Sequence, residues 1–374
     1  MKKIVLIGPV YPYKGGISHY TGQMYRELSK HNEVRMISYK MQYPKILFKK
    51  EQRDYENDSF KVNNTEYMIH TANPFNIIRS AKKIKKYKPD MVIIQWWHPY
   101  FAPCYKILQL FMGRQNIIYV CHNVFPHERF PLDKFLTRLV LSGGKHFIVH
   151  ANDEAKELTQ ITQDADYRIT PHPTYNMFQF EHMTKKDARK RLNIDNTKNI
   201  LLFFGFVREY KGLKHLLLAM NTIIQKNPHT ELWIVGDFDG DKSTYEQIIS
   251  NENIQNYVKI VDGYTPDREV EKYFAACDLV VLPYESATQS GIVQIAFGFE
   301  KPVVVSRVGG LPDVVDDGKT GYICEPCNPK SLADKINLYF AENKYEEFEC
   351  NIKQEAYRFS WERMSEVIDS FGKE

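Results

Sequence analysis

Two cations follow an apolar strand and could together hold a phosphate group. The segment FFGFVREYKG places Arg208 and Lys211 in a short loop after a strand that ends at Gly205. Arginine offers a bidentate fork of N–H donors and lysine a compact charge, a pair that suits a pyrophosphate. Two solvated surface charges are the plainer alternative. Because the loop joins a strand to a helix, where parallel sheets bind ligands, its position favours phosphate binding.

Two predicted helices begin at small residues, and a helix N-terminus favours an anion. Gly15 and Gly16 lie before a helix predicted from about residue 18, with Ser18 as its N-cap. A tight turn is the alternative there. The segment Ser290–Ile292 is predicted to open a second such helix after the strand LVVLP. No G-x-G-x-x-G occurs in the sequence, which argues against a dinucleotide-dependent dehydrogenase.

Two histidines also follow predicted strands directly. His98 comes after MVIIQWW, and His122 comes after IIYVC. A histidine is usually a satisfied structural residue, but the end of a parallel strand is where ligands bind. We therefore keep both as candidate ligand contacts.

The sequence gives little support for a metal. Cys324 and Cys327 have C-x-x-C spacing, but no second pair and no histidine nearby in the sequence completes a zinc site. Asp237, Asp239 and Asp241 lack the glycine and the acidic twelfth residue of a calcium loop. We expect no metal, no cofactor and reduced cysteines.

Apolar strands alternate with helices in two series, which predicts parallel sheets covered on both faces. The first series begins at KIVLIG, and the second restarts at ILLFFG after the polar stretch 181–198. A length of 374 residues is enough for two domains. We predict an α/β fold with two Rossmann-like parallel-sheet domains facing a cleft. The domains are predicted at 1–175 and 176–359, with a C-terminal helix at about 360–374 packing back on the first.

In this order the motifs resemble those of retaining glycosyltransferase family 4 (group 1), which has the GT-B fold. The resemblance covers nearly all of the chain and is strongest at 200–326. The family's G-x-x-R…K-G loop corresponds to the segment Gly205–Gly212, and its glycine-rich first loop to Gly15-Gly16. Its G-x-P-V-V…GG tail corresponds to the segment from Lys301 to Gly321, with a glutamate at 300 where glycine is common.

One departure lies in the family's pair of glutamates eight residues apart. The residue eight positions after Glu285 is Val293. Gln289, Ser290 and Gln294 stand in this region instead. We expect neutral amides or backbone groups to hold the hydroxyls of ribose and sugar.

The resemblance implies transfer of a sugar from a nucleotide-diphosphate sugar to a glycan or lipid-linked acceptor, in cell-surface polysaccharide synthesis. It also implies retention of configuration, with the donor's own phosphate accepting the acceptor's proton. From the residues and the resemblance together, we predict catalytic roles for His122, Arg208 and Lys211; donor-binding roles for Gly15, Gly16, Gly205, Tyr264, Thr265, Gln289, Ser290, Gly291, Ile292 and Gln294; and acceptor-side places for His98, Lys82 and Lys83.

Two alternatives remain open. A nucleotide-sugar epimerase can have the same fold and donor without a second substrate. A binding protein can keep the fold without catalysis, which would fit the absence of the glutamate pair.

The charge is unevenly distributed along the chain. Residues 1–180 contain 26 Lys and Arg against 15 Asp and Glu, and residues 181–374 contain 24 against 31. The segment PKILFKK at 44–50 and one face of a helix predicted at 75–88 (Arg79, Lys82, Lys83 and Lys86) are basic. They predict docking on an anionic membrane, with a solvated helix face as the alternative. The first apolar run is too short for a signal peptide, so we expect a cytoplasmic protein, peripheral on the inner face of the cell membrane.

Overall fold

The computed structural model describes residues 1–47, 51–55, 58–113, 115–126, 130–238, 240 and 242–371. They form two compact units, one made of Met1–Pro171 with the chain from Trp361 onward, the other of His172–Ser360. Each unit has a parallel sheet, so the predicted class of two Rossmann-like α/β units is confirmed. That the two units face a cleft stays a prediction.

The first unit contains, over the described residues, a seven-stranded parallel sheet in the order β3-β2-β1-β4-β5-β6-β7. The chain reverses its direction of progress between β1 and β4, which are neighbours in the sheet. The strands are β1 (Lys3–Ile7), β2 (Glu33–Met41), β3 (Glu66–His70), β4 (Met91–Trp96), β5 (Ile117–Cys121), β6 (His146–Val149) and β7 (Asp166–Ile169).

The second unit contains, in its described part, a six-stranded parallel sheet in the order β10-β9-β8-β11-β12-β13. Here the reversal falls between β8 and β11. In such sheets the crevice at the carboxyl ends of the two strands beside the reversal is where ligands bind. The strands are β8 (Asn199–Phe204), β9 (Thr230–Gly236), β10 (Val258–Asp262), β11 (Leu279–Leu282), β12 (Val303–Ser306) and β13 (Gly321–Cys324).

Helices connect the strands in both units. They are α1 (Gly16–Leu28), α2 (Pro74–Lys86), α3 (Ala102–Met112), α4 (Asp133–Leu141), α5 (Asn152–Thr159), α6 (Lys185–Leu192), α7 (Leu213–Lys226), α8 (Lys242–Asn251), α9 (Asp267–Ala276), α10 (Gly291–Gly298), α11 (Leu311–Val314), α12 (Pro329–Glu342), α13 (Tyr345–Gln354) and α14 (Trp361–Ser370). Among the described helices, none is both long and apolar enough to cross a bilayer.

The last helix, α14, lies in the first unit and packs against α1. The rings of Tyr20 and Trp361 meet edge to face at 5.0 Å, and the Tyr20 hydroxyl lies 3.8 Å from the Met364 sulfur. Met364 and Ile368 join the buried side chains of β1 in one apolar cluster. The chain therefore builds the first unit from both of its ends.

The glutamate that replaces a common glycine has a left-handed backbone. Glu300 has φ +58°, a conformation that glycine adopts without strain. This explains why glycine suits the position. The carboxylate of Glu300 forms an ion pair of 3.0 Å with Lys353.

Candidate active site

The loops after β8 and β11 meet at the reversal point of the second sheet. The first runs from Gly205, with φ +98°, to Gly212, and ends in a short 3-10 helix over Glu209–Lys211. The second leads to Ser290, the N-cap of α10. The two adjoining strands thus bring both loops to one edge of the sheet.

Lys211 is a buried cation, with 9% of its surface exposed. A Cβ added to Gly205 would lie 3.2 Å from the Lys211 ammonium, so glycine leaves room for this side chain. Within the described part of the chain, no hydrogen bond or ion pair compensates the ammonium. Burial, and then repulsion from Arg208, lower the pKa of Lys211 to about 8. The loop therefore holds a positive charge that an anion would stabilise.

A continuous set of contacts links Lys211 to the start of α10. The ammonium of Lys211 lies 5.7 Å from the ring centre of Tyr284, whose hydroxyl lies 3.2 Å from Ser290 Oγ. Ser290 Oγ in turn accepts a hydrogen bond of 3.2 Å from the Ile292 N–H. Ile292 Cδ1 returns to Gly205, 3.5 Å from where a Cβ would lie. The structure thus brings Gly205, Lys211, Ser290 and Ile292, all predicted from the sequence, together around Tyr284. Tyr284 itself was not predicted, although it lies shortly after the end of β11.

The loop before Ser290 is held from behind by a glycine turn. A Cβ on Gly309 would lie 1.6 Å from the carbonyl oxygen of Ala287, so no other residue fits without moving that loop. The N–H of Gly310 donates 2.8 Å to the carbonyl oxygen of Thr288. This packing fixes the approach to Gly291 and the N-terminus of α10.

Two amide side chains near α10 have buried atoms that lack partners. Gln294 is 1% exposed, and its Oε1 has no hydrogen-bond partner among the described residues. Nε2 of Gln289 is also buried and has no hydrogen-bond partner among the described residues. A buried acceptor or donor without a hydrogen-bond partner costs free energy. A hydrogen bond between each of these atoms and a ligand hydroxyl would therefore be favourable.

The carboxylate of Glu285 faces α7 and already has two hydrogen-bond partners there. Its Oε1 accepts hydrogen bonds of 2.9 Å from both Lys214 and His215. Burial opposes ionisation, but these hydrogen bonds prevail and lower the pKa of Glu285.

Cys327, His215 and Glu285 present their ligand atoms within 4.8 Å of one another. The sequence alone showed no histidine near Cys327, because α7 supplies His215 from more than a hundred residues away. The Lys214 ammonium on the same carboxylate opposes a second cation there, so this cluster gives no support to a metal.

Tyr264 and Thr265 follow β10, the edge strand, and β9 separates that strand from β8. Tyr264 is 47% exposed. A role for these two residues in binding the donor stays a prediction.

In the first unit, the N-terminus of α1 borders open space. The helix begins at Gly16, and Gly15, with φ +108°, is its N-cap. A Cβ on either glycine would meet nothing within 4 Å. The predicted N-cap at Ser18 is wrong: Ser18 is buried inside the first turn, because the left-handed Gly15 already turns the chain into the helix.

His122 lies at the carboxyl end of β5, as predicted, and is partly buried. Its Nε2 lies 2.7 Å from Oε1 of Gln95, and its ring meets that of Tyr20 edge to face at 4.6 Å. Gln95 was not predicted, since it reads as one polar residue within an apolar strand. The sequence gives no signal for this contact, which joins two neighbouring strands.

His98 serves a local structural purpose. Its Nδ1 accepts a hydrogen bond of 3.1 Å from the Tyr100 N–H and so caps a short 3-10 helix. The ring stacks on Phe130 at 5.6 Å, and burial lowers the pKa of His98. A role on the acceptor side stays a prediction.

Lys82 and Lys83 lie in the second half of α2, which ends at Lys86 just before β4 begins. Because a helix that follows a parallel strand runs back along it, this half of α2 is nearer the amino ends of the strands. Lys83 also forms an ion pair of 2.6 Å with Glu66. A role for these two lysines on the acceptor side stays a prediction.

The sequence of the second unit matches a known family. Residues 184–359 match the family described as glycosyl transferases group 1. This match covers nearly all of the second unit and just under half of the chain. The buried cation at Lys211 thus lies in the unit that carries the family match.

Curated relatives of this chain are glycosyltransferases by name. D-inositol 3-phosphate glycosyltransferase of Segniliparus rotundus is 27% identical over 245 residues, which are 62% of this chain and 54% of the relative. Lipopolysaccharide 1,2-N-acetylglucosaminetransferase of Salmonella typhimurium is 26% identical over 199 residues, 51% of this chain and 52% of the relative. The chain spans about half the length of the curated relatives that it matches.

Solved structures share the fold of this chain over nearly its whole length. HepE of Anabaena, in complex with UDP and glucose, has a TM-score of 0.76 at 16% identity, with 99% of each chain covered. Sucrose-phosphate synthase of Thermosynechococcus elongatus has a TM-score of 0.72 at 18% identity, covering 99% of this chain and 98% of the other. At these identities the likeness shows the fold, which is GT-B.

Proposed function

We propose that this chain is a group 1 glycosyltransferase that transfers a sugar from a nucleotide-diphosphate sugar to a glycan or lipid-linked acceptor, with retention of configuration. The observation that carries the proposal is the uncompensated ammonium of Lys211 beside Arg208 at the reversal point of the second sheet. Charge placed in advance where a leaving diphosphate develops negative charge stabilises the transition state. The N-terminus of α10 at Ser290 adds its N–H groups.

The reaction needs no protein nucleophile. The acceptor oxygen attacks the anomeric carbon on the face that the diphosphate leaves, the bond from that carbon to the phosphate oxygen breaks, and the phosphate takes the acceptor's proton. Arg208 and Lys211 hold the diphosphate as its charge grows. Gln289 and Gln294, whose amides have buried atoms without partners in the described part of the chain, are proposed to bind donor hydroxyls, and His122 to contact the transferred sugar.

UDP-glucose is the first donor to test, because the Anabaena relative in fold was crystallised with it. Full-length protein is incubated with a panel of nucleotide sugars, and released nucleotide diphosphate and free sugar are measured. Slow release of diphosphate, with the first-formed sugar keeping the donor's anomeric configuration by proton NMR, is expected. Inversion contradicts retention; an isomerised sugar would indicate an epimerase; binding without turnover would indicate a binding protein.

We propose further that the first unit docks on an anionic membrane. A lipid-linked acceptor used in cell-surface polysaccharide synthesis would be found at such a membrane. On α2, Arg79, Lys82 and Lys86 are exposed while Lys83 is paired. Ile46, Leu47 and Phe75 are exposed by 85%, 63% and 86%. Phe48, Lys49 and Lys50, which belong to the predicted basic segment, lie outside the described residues.

Liposome co-sedimentation tests the docking. Each Lys or Arg near an anionic surface contributes about 1 kcal/mol, and salt screens this attraction. Binding to anionic but not neutral vesicles is expected, with loss in 1 M salt and in the variant Arg79→Glu/Lys82→Glu/Lys86→Glu. The variant Lys186→Glu/Lys190→Glu/Lys226→Glu makes the same charge change on the second unit and should still bind. Equal loss in both variants would contradict a docking face on α2.

A further inference from the structure

Gln95 is a fully buried polar side chain that contacts a candidate active-site residue. It lies on β4 with 0% of its surface exposed, and its Oε1 is 2.7 Å from His122 Nε2. A buried amide without partners is costly, so this contact matters for both groups. A Cβ on Gly8 would lie 2.6 Å from Gln95 Cγ, so the backbone of the first loop approaches this side chain closely.

The other end of the Gln95 amide fixes which way the amide faces. Its Nε2 lies 3.4 Å from the sulfur of Met24, on α1. A thioether sulfur can only accept, so the N–H end belongs there and the oxygen belongs toward His122. Tyr105 donates a hydrogen bond of 3.0 Å to the backbone carbonyl of Gln95 and holds the strand itself in place.

An amide oxygen has no hydrogen to donate, so the hydrogen in the contact must come from the imidazole. We propose that Gln95 is a positioning residue that keeps the hydrogen of His122 on Nε2, so that the neutral ring presents Nδ1 as its acceptor nitrogen. Any contact of the ring with a donor sugar rests on the proposed function; the tautomer itself does not.

The rings of Tyr20 and His150 pack against His122, and neither changes the assignment of the hydrogen to Nε2. The ring of Tyr20, from α1, lies at 4.6 Å, and that of His150, which follows β6, lies at 5.7 Å. His150 Nδ1 lies 2.9 Å from the carbonyl oxygen of Thr170, and burial lowers the pKa of His150 to about 4. His150 is therefore neutral near pH 7 and adds no charge beside His122.

Nitrogen-15 NMR of histidine-labelled full-length protein tests the tautomer without any substrate. Two-bond proton–nitrogen spectra distinguish a protonated from an unprotonated ring nitrogen, and His122→Gln identifies the signal. We expect Nε2 to be protonated and Nδ1 unprotonated in neutral His122. Gln95→Glu should favour the imidazolium form of His122, with both ring nitrogens protonated, because a carboxylate there stabilises the positive charge. Gln95→Met should give a mixture of tautomers.

Gln109→Met is the matched control, since Gln109 also donates within the first unit, to Tyr119, but does not touch His122. It should leave the His122 signal unchanged. A wild-type ring protonated on Nδ1, or a tautomer unaffected by Gln95→Met, would overturn the proposal.

Activity then tests the positioning role. Gln95→Met should lower kcat about 10- to 100-fold at nearly unchanged donor KM, as for the outer partners of metal-bound histidines. A variant with an altered tautomer and unchanged kcat would overturn that role. Failure of the proposed function looks different: wild-type protein would turn over no nucleotide sugar, while the NMR result would stand.

Discussion

At the scale of single residues, Lys211 combines burial with charge. Its pKa of about 8 lies below the value of about 10.4 in an unfolded chain. Between these values the unfolded chain binds more protons, so stability rises with pH there. Below pH 8 the buried charge costs on the order of 3 kcal/mol.

Lys211→Met should therefore raise the melting temperature at pH 7 while removing the charge from the phosphate site. We expect kcat/KM to fall ~30- to 1000-fold in this variant and in Arg208→Ala, the loss typical of one preorganised charge contact. Calorimetry and donor turnover are the measurements. Wild-type kcat/KM in both variants would remove the phosphate assignment.

Donor binding should depend on pH through the same ammonium. A diphosphate favours protonated Lys211, so affinity should fall as pH rises through about 8. Above that pH, binding should take up a proton, which isothermal titration in buffers of different ionisation enthalpy detects. Binding without proton uptake in wild type, or equal uptake in Lys211→Met, would assign the effect to another group.

His122 should matter for turnover more than for nucleotide affinity. His122→Ala removes a contact proposed for the transferred sugar and leaves the phosphate loops of the other unit intact. We expect a clear loss of kcat with little change in the Kd of the nucleotide diphosphate. A variant that loses nucleotide affinity and keeps its turnover would place His122 elsewhere.

At the scale of elements, the N-cap of α10 joins stability to ligand binding. Ser290→Ala removes the hydrogen bond to the Ile292 N–H and should cost about 1 kcal/mol of unfolding free energy. It should also raise the donor KM, because the cap borders the Lys211 cluster. Thr184→Ala removes the corresponding cap from α6 and should cost a similar amount without changing KM. Equal effects on KM would separate α10 from the donor site.

Strand prediction succeeded where side chains are buried on both faces. The patterns predict β1, β4, β5 and β6 because each is a continuous apolar run. They miss β2, whose first residues are charged and exposed, and the edge strands β3 and β7. Outer strands are half solvated, so their apolar signal is weaker.

Loop residues could be predicted by position, but not by contact. Lys211 and Ser290 were found because both follow strands, a rule that reads along the chain. Tyr284 contacts Lys211 and Gln95 contacts His122 across neighbouring strands, and Glu66 neutralises Lys83 from another element. Such contacts depend on strand order, which one sequence does not reveal.

At the scale of the whole molecule, both chain ends contribute to the first unit. Trp361→Ala should remove the packing of α14 on Tyr20 and cost roughly 2–4 kcal/mol, somewhat less than a fully buried tryptophan. Hydrogen exchange followed by mass spectrometry should show faster exchange in α1 and unchanged exchange in α7. Uniformly faster exchange in both units would mean that they unfold as one.

The divided first unit also sets an order for synthesis on the ribosome. The second unit, His172–Ser360, is one continuous stretch of chain and can fold as soon as it emerges. The first unit begins earlier but lacks α14 until Trp361–Ser370 has emerged, so the side of Tyr20 that α14 covers stays exposed while about two hundred residues are added at roughly 5–20 per second. The unit whose synthesis begins first is therefore completed last, and the nascent chain exposes apolar surface of α1 to chaperones and proteases until α14 is made.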